Sequence, residues 1–266
     1  MEKIKFQKWQ GLGNDFIILE EMTATKELAI KMCDRKFGIG ADGLFSAKKT
    51  DKADIAWDFY NSDGTMPEMC GNGIRCFAKY VYEKGLVNKK TFSVETLRGL
   101  VIPEILDDKT VRVDMGEPVF DSKLIPVNVD NPMDFEVEGF RASAVSMGNP
   151  HCIIFTDKNG AELAKSEGSK IETSSLFPEK TNVEFINVIN KNKIKLDVWE
   201  RGCGITLACG TGACASVVAG IKKGLLDNKV EVILPGGVLK IEYQGKGSVY
   251  MTGGAEKVFE GVYFNG

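Results

Sequence analysis

Cys70-Gly71-Asn72-Gly73 returns later in the chain as Cys209-Gly210-Thr211-Gly212, an offset of 139 residues. Holding that offset without gaps extends the match both ways. Lys52, Ile55 and Asp58 fall on Lys191, Ile194 and Asp197, and Lys84, Gly85, Leu86 and Lys90 fall on Lys223, Gly224, Leu225 and Lys229. Tyr60 meets Trp199 and Val94 meets Ile233. A period this long excludes a solenoid and points to two copies of one domain in tandem. Each copy carries an alternating strand (Asp54 to Tyr60; Ile194 to Trp199), a polar loop, the CGxG turn, and an apolar run that stops at glycine. Those runs, Ile74 to Lys84 and Ala213 to Lys223, read as helices of about three turns with lysine in the last turn. The second has little polar face and is expected to be buried on most sides. Hairpins follow at Leu97-Arg98-Gly99 and Pro235-Gly236-Gly237. Gly13-Asn14 and Gly148-Asn149 each precede an apolar strand, Phe16 to Leu19 and Cys152 to Phe155. The expected fold is α/β: two pseudo-symmetric tandem domains, each a curved, mostly antiparallel sheet wrapped on a central helix. The expected boundaries are 1–112 and 113–256, with a last strand in 257–266 returning to the first domain.

Composition narrows the function. Of 266 residues, 34 are Lys or Arg and 37 are Asp or Glu, a formal charge of −3. That balance leaves no basic footprint for nucleic acid and no polybasic membrane patch, so a small-molecule partner is expected. From Gly202 to Ile221 no residue is charged, a length that could span a bilayer. Its five glycines read instead as a glycine loop feeding a buried helix. Met1-Glu2-Lys3-Ile4-Lys5-Phe6 alternates polar and apolar and reads as a strand, not a leader. With seven cysteines, an odd number, reduced thiols in the cytoplasm are expected rather than a disulfide framework.

Each CGxG turn puts a thiol at the start of a helix, where free N–H groups and the positive dipole end favour an anion. The thiol pKa is expected to fall below its free value of about 8.5. The amides of Gly71, Asn72, Gly210 and Thr211 could hold a carboxylate. Two thiols flanking one carbon could remove a proton from one face and return one to the other, inverting an amino-acid α-carbon. His151, the single histidine, could assist one thiol and Glu200 the other, while Arg201 could clamp a second carboxylate bidentately. Asn14, Asn61, Asn149 and Asn182 sit at loop edges, where asparagine is commonly a turn former, yet their amides could bind a zwitterion. Cys33, Cys76, Cys152, Cys203 and Cys214 read as core filling or incidental. No CxxC occurs, so no metal is expected.

Further stretches complete the pattern: Gly11-Leu12-Gly13-Asn14-Asp15-Phe16, Phe37-Gly38-Ile39-Gly40-Ala41-Asp42-Gly43, Met147-Gly148-Asn149-Pro150-His151, Phe177-Pro178-Glu179, Thr181-Asn182-Val183 and Glu200-Arg201-Gly202. Together with the two cysteine turns, and in this order over almost the whole chain, they resemble the diaminopimelate epimerase family of cofactor-independent amino-acid racemases. The resemblance implies Cys70 and Cys209 as the acid/base thiols of an LL to meso epimerisation, assisted by His151 and Glu200. It implies an active site in the cleft between the domains. The α-carboxylate would lie on Gly71, Asn72, Gly210 and Thr211, and the distal groups on Asn61, Asn149, Asn182, Glu200 and Arg201, with Asn14 nearby. It implies no PLP, metal or nucleotide, a place in lysine and peptidoglycan-precursor synthesis, and leaves a homodimer open. Two departures stand out: Ile205 precedes Thr206 where many members have Glu, and Gly43 follows Asp42 where some have Gln. A racemase of another amino acid such as histidine or proline, or a non-enzymatic carboxylate or thiol-redox binding protein, are the competing readings.

Overall fold

A computed structural model describes residues 2–67 and 69–266. In chain order the elements are β1 (Glu2–Gly11), β2 (Asn14–Leu19), α1 (Lys26–Cys33), β3 (Gly43–Lys48), β4 (Ile55–Asn61), α2 (Gly71–Glu83), β5 (Val94–Thr96), β6 (Gly99–Val101), β7 (Pro103–Ile105), β8 (Thr110–Asp114), β9 (Phe135–Val137), β10 (Phe140–Ser146), β11 (Pro150–Phe155), α3 (Gly160–Glu172), β12 (Asn182–Asn190), β13 (Lys193–Glu200), β14 (Gly204–Ile205), α4 (Gly210–Lys222), β15 (Lys229–Leu234), β16 (Gly237–Glu242), β17 (Tyr250–Gly254) and β18 (Glu256–Asn265). The chain divides into two compact units, Met1–Val113 with Gly253–Gly266, and Asp114–Thr252.

In the first unit the strands run β18-β1-β2-β3-β4-β5-β6. All pairs are antiparallel except β2–β3 and β4–β5. A parallel pair needs a long crossover, and α1 and α2 supply these two. The second unit repeats the scheme: β10–β11 is antiparallel, β11–β12 parallel across α3, β12–β13 antiparallel, β13–β15 parallel across α4, and β15–β16 antiparallel. The fold is therefore mixed α/β with two tandem repeated domains. The repeat is legible in the register: Phe16 pairs with Gly43 and Ile18 with Phe45, just as His151 pairs with Asn182 and Ile153 with Glu184.

Each sheet carries its helices on opposite faces. In the first unit α1 lies on Ile17, Leu19 and Leu44. The α2 face is aromatic, with Phe16, Phe45, Trp57, Phe59 and Phe77 in mutual ring contact. In the second unit α3 lies on Cys152, Ile154, Val183 and Phe185, which leaves the alternate residues His151, Ile153, Asn182 and Glu184 to the α4 side. Helix α4 is buried at Gly210 and continuously from Gly212 to Gly220, as its lack of a polar face predicts. Both central helices end at a left-handed glycine, Gly85 (φ 68°) and Gly224 (φ 71°). The uncharged run from Gly202 is thus broken into β14, a turn and a helix of 13 residues. No helix among the described residues is long and apolar enough to cross a membrane.

Candidate active site

Two cysteines cap the two central helices. Cys70 (φ −137°, ψ 115°) precedes α2 and Cys209 (φ −120°, ψ 107°) precedes α4, both extended as an N-cap requires. Each sulfur accepts from the backbone N–H three residues on, Gly73 and Gly212, at 3.4 Å. Oxygen side chains are the usual caps, and a sulfur is a weaker acceptor. Cysteine at both positions is therefore a poor choice for capping alone.

Around Cys70 the first unit gathers two of the expected amides. The thiol lies 3.7 Å from Asn14 Oδ1, to which Asn72 Nδ2 also donates at 3.3 Å. Asn14 is held from behind by Asp42, which accepts its Nδ2 at 2.6 Å, and Asp42 is tied through Arg35 to Asp15. Arg75, fully buried, donates to Asn72 Oδ1 and to the carbonyl of Gly71, both at 2.9 Å. Asn61 ends β4, and its Nδ2 donates to Thr65 Oγ1 across the following turn rather than to this group. The Gly43 departure has a steric cause: a Cβ there would lie 2.5 Å from the Phe59 ring and 2.9 Å from the Tyr60 carbonyl.

Around Cys209 the second unit is built differently. His151, at the start of β11, has Nδ1 2.7 Å from Glu184 Oε1 and Nε2 3.0 Å from Asn149 Oδ1. His151, Glu184 and Cys209 bring donor atoms within 4.8 Å of one another, the one such group among the described residues. Asn182 spans the strand ends: its Nδ2 donates to the Pro150 carbonyl and its Oδ1 accepts from Arg201 N, at 2.8 and 2.9 Å. Glu200 closes β13 and accepts from the Thr206 hydroxyl. Arg201 points its guanidinium at the Glu179 carbonyl, 3.2 Å away. Thr211 Oγ1 lies 3.6 Å from the Cys209 sulfur.

One expectation is overturned. The Cys209 thiol does not fall below its ordinary pKa but stands well above it, because burial penalises the thiolate and the Glu200 and Glu184 carboxylates repel it. The helix N–H of Gly212 works the other way and is outweighed. Burial likewise raises the Glu184 carboxyl, lifts Cys152 well above its ordinary value, and pushes Cys33 and Cys76 up to about 12, as suits inert core thiols. Cys203 is exposed.

Glu184 is the residue that sequence reasoning missed. The signal was present: at the offset of 139 residues Glu184 stands where the first copy has Phe45, and the sheet register sets His151 where it has Phe16. Burying an aromatic or aliphatic side chain stabilises by roughly 1.5–3 kcal/mol, whereas a buried ionisable pair costs several kcal/mol in desolvation. The second copy thus gives up stability at the place where the first gains it.

The sequence profile of the diaminopimelate epimerase family matches residues 6–121 and 143–258, one segment in each unit. A diaminopimelate epimerase of Carboxydothermus hydrogenoformans is 49% identical over 273 residues, covering 98% of this chain and 100% of that protein. One from Heliobacterium modesticaldum is 47% identical over 277 residues, covering 97% and 99%. Among solved structures, a Bacillus anthracis phenazine biosynthesis protein of the PhzF family superposes with a TM-score of 0.71 at 16% identity, covering 100% of both chains. A hydroxyproline epimerase from Agrobacterium vitis superposes with a TM-score of 0.67 at 14% identity, covering 99% of this chain and 91% of that one. These two share the fold. The near-full-length identity to the curated enzymes, together with the profile match across both repeats, shows that this chain belongs to the diaminopimelate epimerase family.

Proposed function

We propose that this protein is an isomerase that interconverts LL- and meso-2,6-diaminopimelate, with Cys70 and Cys209 as its paired acid and base. The observation that carries the reading is the pair of thiols capping equivalent helices of a repeated fold, each beside helix N–H groups suited to an anion. One sulfur, as thiolate, takes the α-proton: the C–H bond breaks, an S–H bond forms, and the electron pair spreads into the carboxylate. The other sulfur gives its proton to the opposite face, and the configuration inverts. Burial and two carboxylates favour the thiol form of Cys209, which supports Cys209 as the proton donor and Cys70 as the base in this reading. The carboxylate at the reacting carbon rests on the N–H groups of Gly71, Asn72, Gly210 and Thr211. One lost donor of this kind commonly costs about 3–4 kcal/mol in the barrier. Asn14, Asn61, Asn149, Asn182, Glu200 and Arg201 read the remaining amino and carboxylate groups, Glu200 as the partner for an ammonium and Arg201 for a carboxylate. His151 and Glu200 adjust the proton balance around the sulfurs. In this reading each unit supplies one thiol, and the product serves lysine biosynthesis.

The test is conversion of LL-diaminopimelate in deuterated water with no added cofactor. Meso product with deuterium at the inverted carbon is expected. Cys70→Ala and Cys209→Ala are each expected to lower turnover by several orders of magnitude while the protein stays folded. No interconversion by the parent, or near-parental turnover in either variant, overturns the reading.

A further inference from the structure

Glu184 is sealed from solvent, as is His151 beside it. Its Oε1 bonds the imidazole, and its Oε2 has no hydrogen-bond partner. On the far side of the ring, Nε2 faces Asn149 Oδ1 at 3.0 Å. An amide oxygen only accepts, so Nε2 carries a hydrogen and donates it. One further proton then lies between Nδ1 and Oε1. A carboxyl group suits that place because it can accept from a protonated Nδ1 or donate to a bare one. Either way Nε2–H stays on Asn149 Oδ1, and the NH2 end of the Asn149 amide is left to donate elsewhere. The first unit has no such chain, since Phe16 and Phe45 fill the equivalent positions.

We propose that Glu184 is a positioning residue of the Cys209 side, which acts through His151 to fix the ring beside that sulfur and to present the Asn149 NH2 to an anionic group of the substrate. The proposal rests on the epimerase reading above. The titratable groups that face Glu184 are His151 from β11, Glu200 from β13 and Cys209 at the start of α4, and Cys152 on the opposite face of β11 also feels its charge. A carboxylate that orients a metal-bound imidazole commonly contributes about 10- to 100-fold to activity, and a loss of the same order is expected for this metal-free imidazole.

The test compares the parent with Glu184→Leu and Glu184→Gln, as full chains without added histidines, in two measurements. In the first, LL to meso turnover is followed from about pH 6 to about pH 9. The Leu variant is expected to lose about 10- to 100-fold in kcat, with a raised KM and a changed pH profile. The Gln variant, whose amide can still bond Nδ1 but cannot carry its proton, is expected to recover KM and keep the changed profile. In the second, the chain's single histidine makes its ring nitrogen resonances unambiguous. The parent is expected to show Nε2 protonated and a proton shared at Nδ1, with that shared proton absent from both variants. Parental kcat, KM, pH profile and ring resonances in the Gln variant overturn the proposal, as does a Leu variant that only melts earlier. Should the Leu variant fail to fold, the Gln variant decides alone. If the parent does not interconvert the two isomers, it is the epimerase reading that fails, while the ring resonances still report the Glu184–His151–Asn149 chain.

Discussion

Gly212→Ala probes the most crowded point beneath Cys209. A Cβ at Gly212 would stand 2.6 Å from Glu184 Oε1, 3.2 Å from the Cys209 sulfur and 3.3 Å from its Cβ. Ordinary contact asks for about 3.4 Å or more, so the carboxylate must retreat by about 0.8 Å. It starts 2.7 Å from His151 Nδ1, and a retreat of that size directed away from the ring takes the bond beyond the range of about 2.7–3.2 Å in which it holds. Two energies oppose each other in stability. Overpacking a buried site costs about 1–3 kcal/mol, and replacing a helical glycine by alanine returns up to about 1 kcal/mol. The net is a loss of about 1 kcal/mol, or roughly 2–4 °C in Tm for a chain of this size. The effect on turnover is expected to be larger, about tenfold or more, because the imidazole loses its anchor. Gly73→Ala is the natural comparison: its Cβ would meet the Phe45 ring at 2.6 Å, an apolar neighbour with no proton to misplace. The assay pairs thermal unfolding with LL to meso conversion for both variants. Equal catalytic loss per degree of Tm in the two variants refutes the reasoning, and so does a Gly212→Ala enzyme with parental turnover.

Two more outcomes follow from the charges. Asp15 suffers from burial, but hydrogen bonds from Arg35 and Lys8 outweigh it and hold the carboxyl down at about 2. A depressed carboxyl stabilises the fold above its unfolded pKa of about 4 and loses that contribution as pH falls towards 2. Asp15→Asn is therefore expected to cost about 2 kcal/mol in denaturant unfolding at neutral pH, with the difference closing near pH 2; a gap independent of pH counts against it. Cys209 is expected to resist iodoacetamide at neutral pH far better than exposed Cys203, and to react faster as pH rises, since burial keeps it protonated. Peptide mass spectrometry reads both rates, and equal labelling at neutral pH refutes the burial argument.

Local pattern carried much of the architecture. The offset of 139 residues anticipated two copies, and period-2 segments anticipated β4 and β13. The glycine after each apolar run anticipated where α2 and α4 stop, because only a residue without a Cβ adopts that left-handed conformation cheaply. The helices begin three residues before the apolar runs, at Gly71 and Gly210, inside what reads as a turn. Glycine-rich stretches have weak intrinsic helix preference, and the cysteine cap overrides it.

What the sequence alone determined is what depends on neighbours along the chain: the strand and helix order, the doubling of the fold, and thiols at the mouths of two helices. Folding adds what depends on neighbours brought together across it. Glu184 and His151 are 33 residues apart and meet because β11 and β12 run side by side in one register. The Cys209 thiol is driven upward rather than downward by its sealed surroundings and by carboxylates on β12 and β13. A helix terminus acts on its own cap and can be read from spacing. Desolvation is a sum over everything that excludes water, and it comes into being only when separate strands pack together.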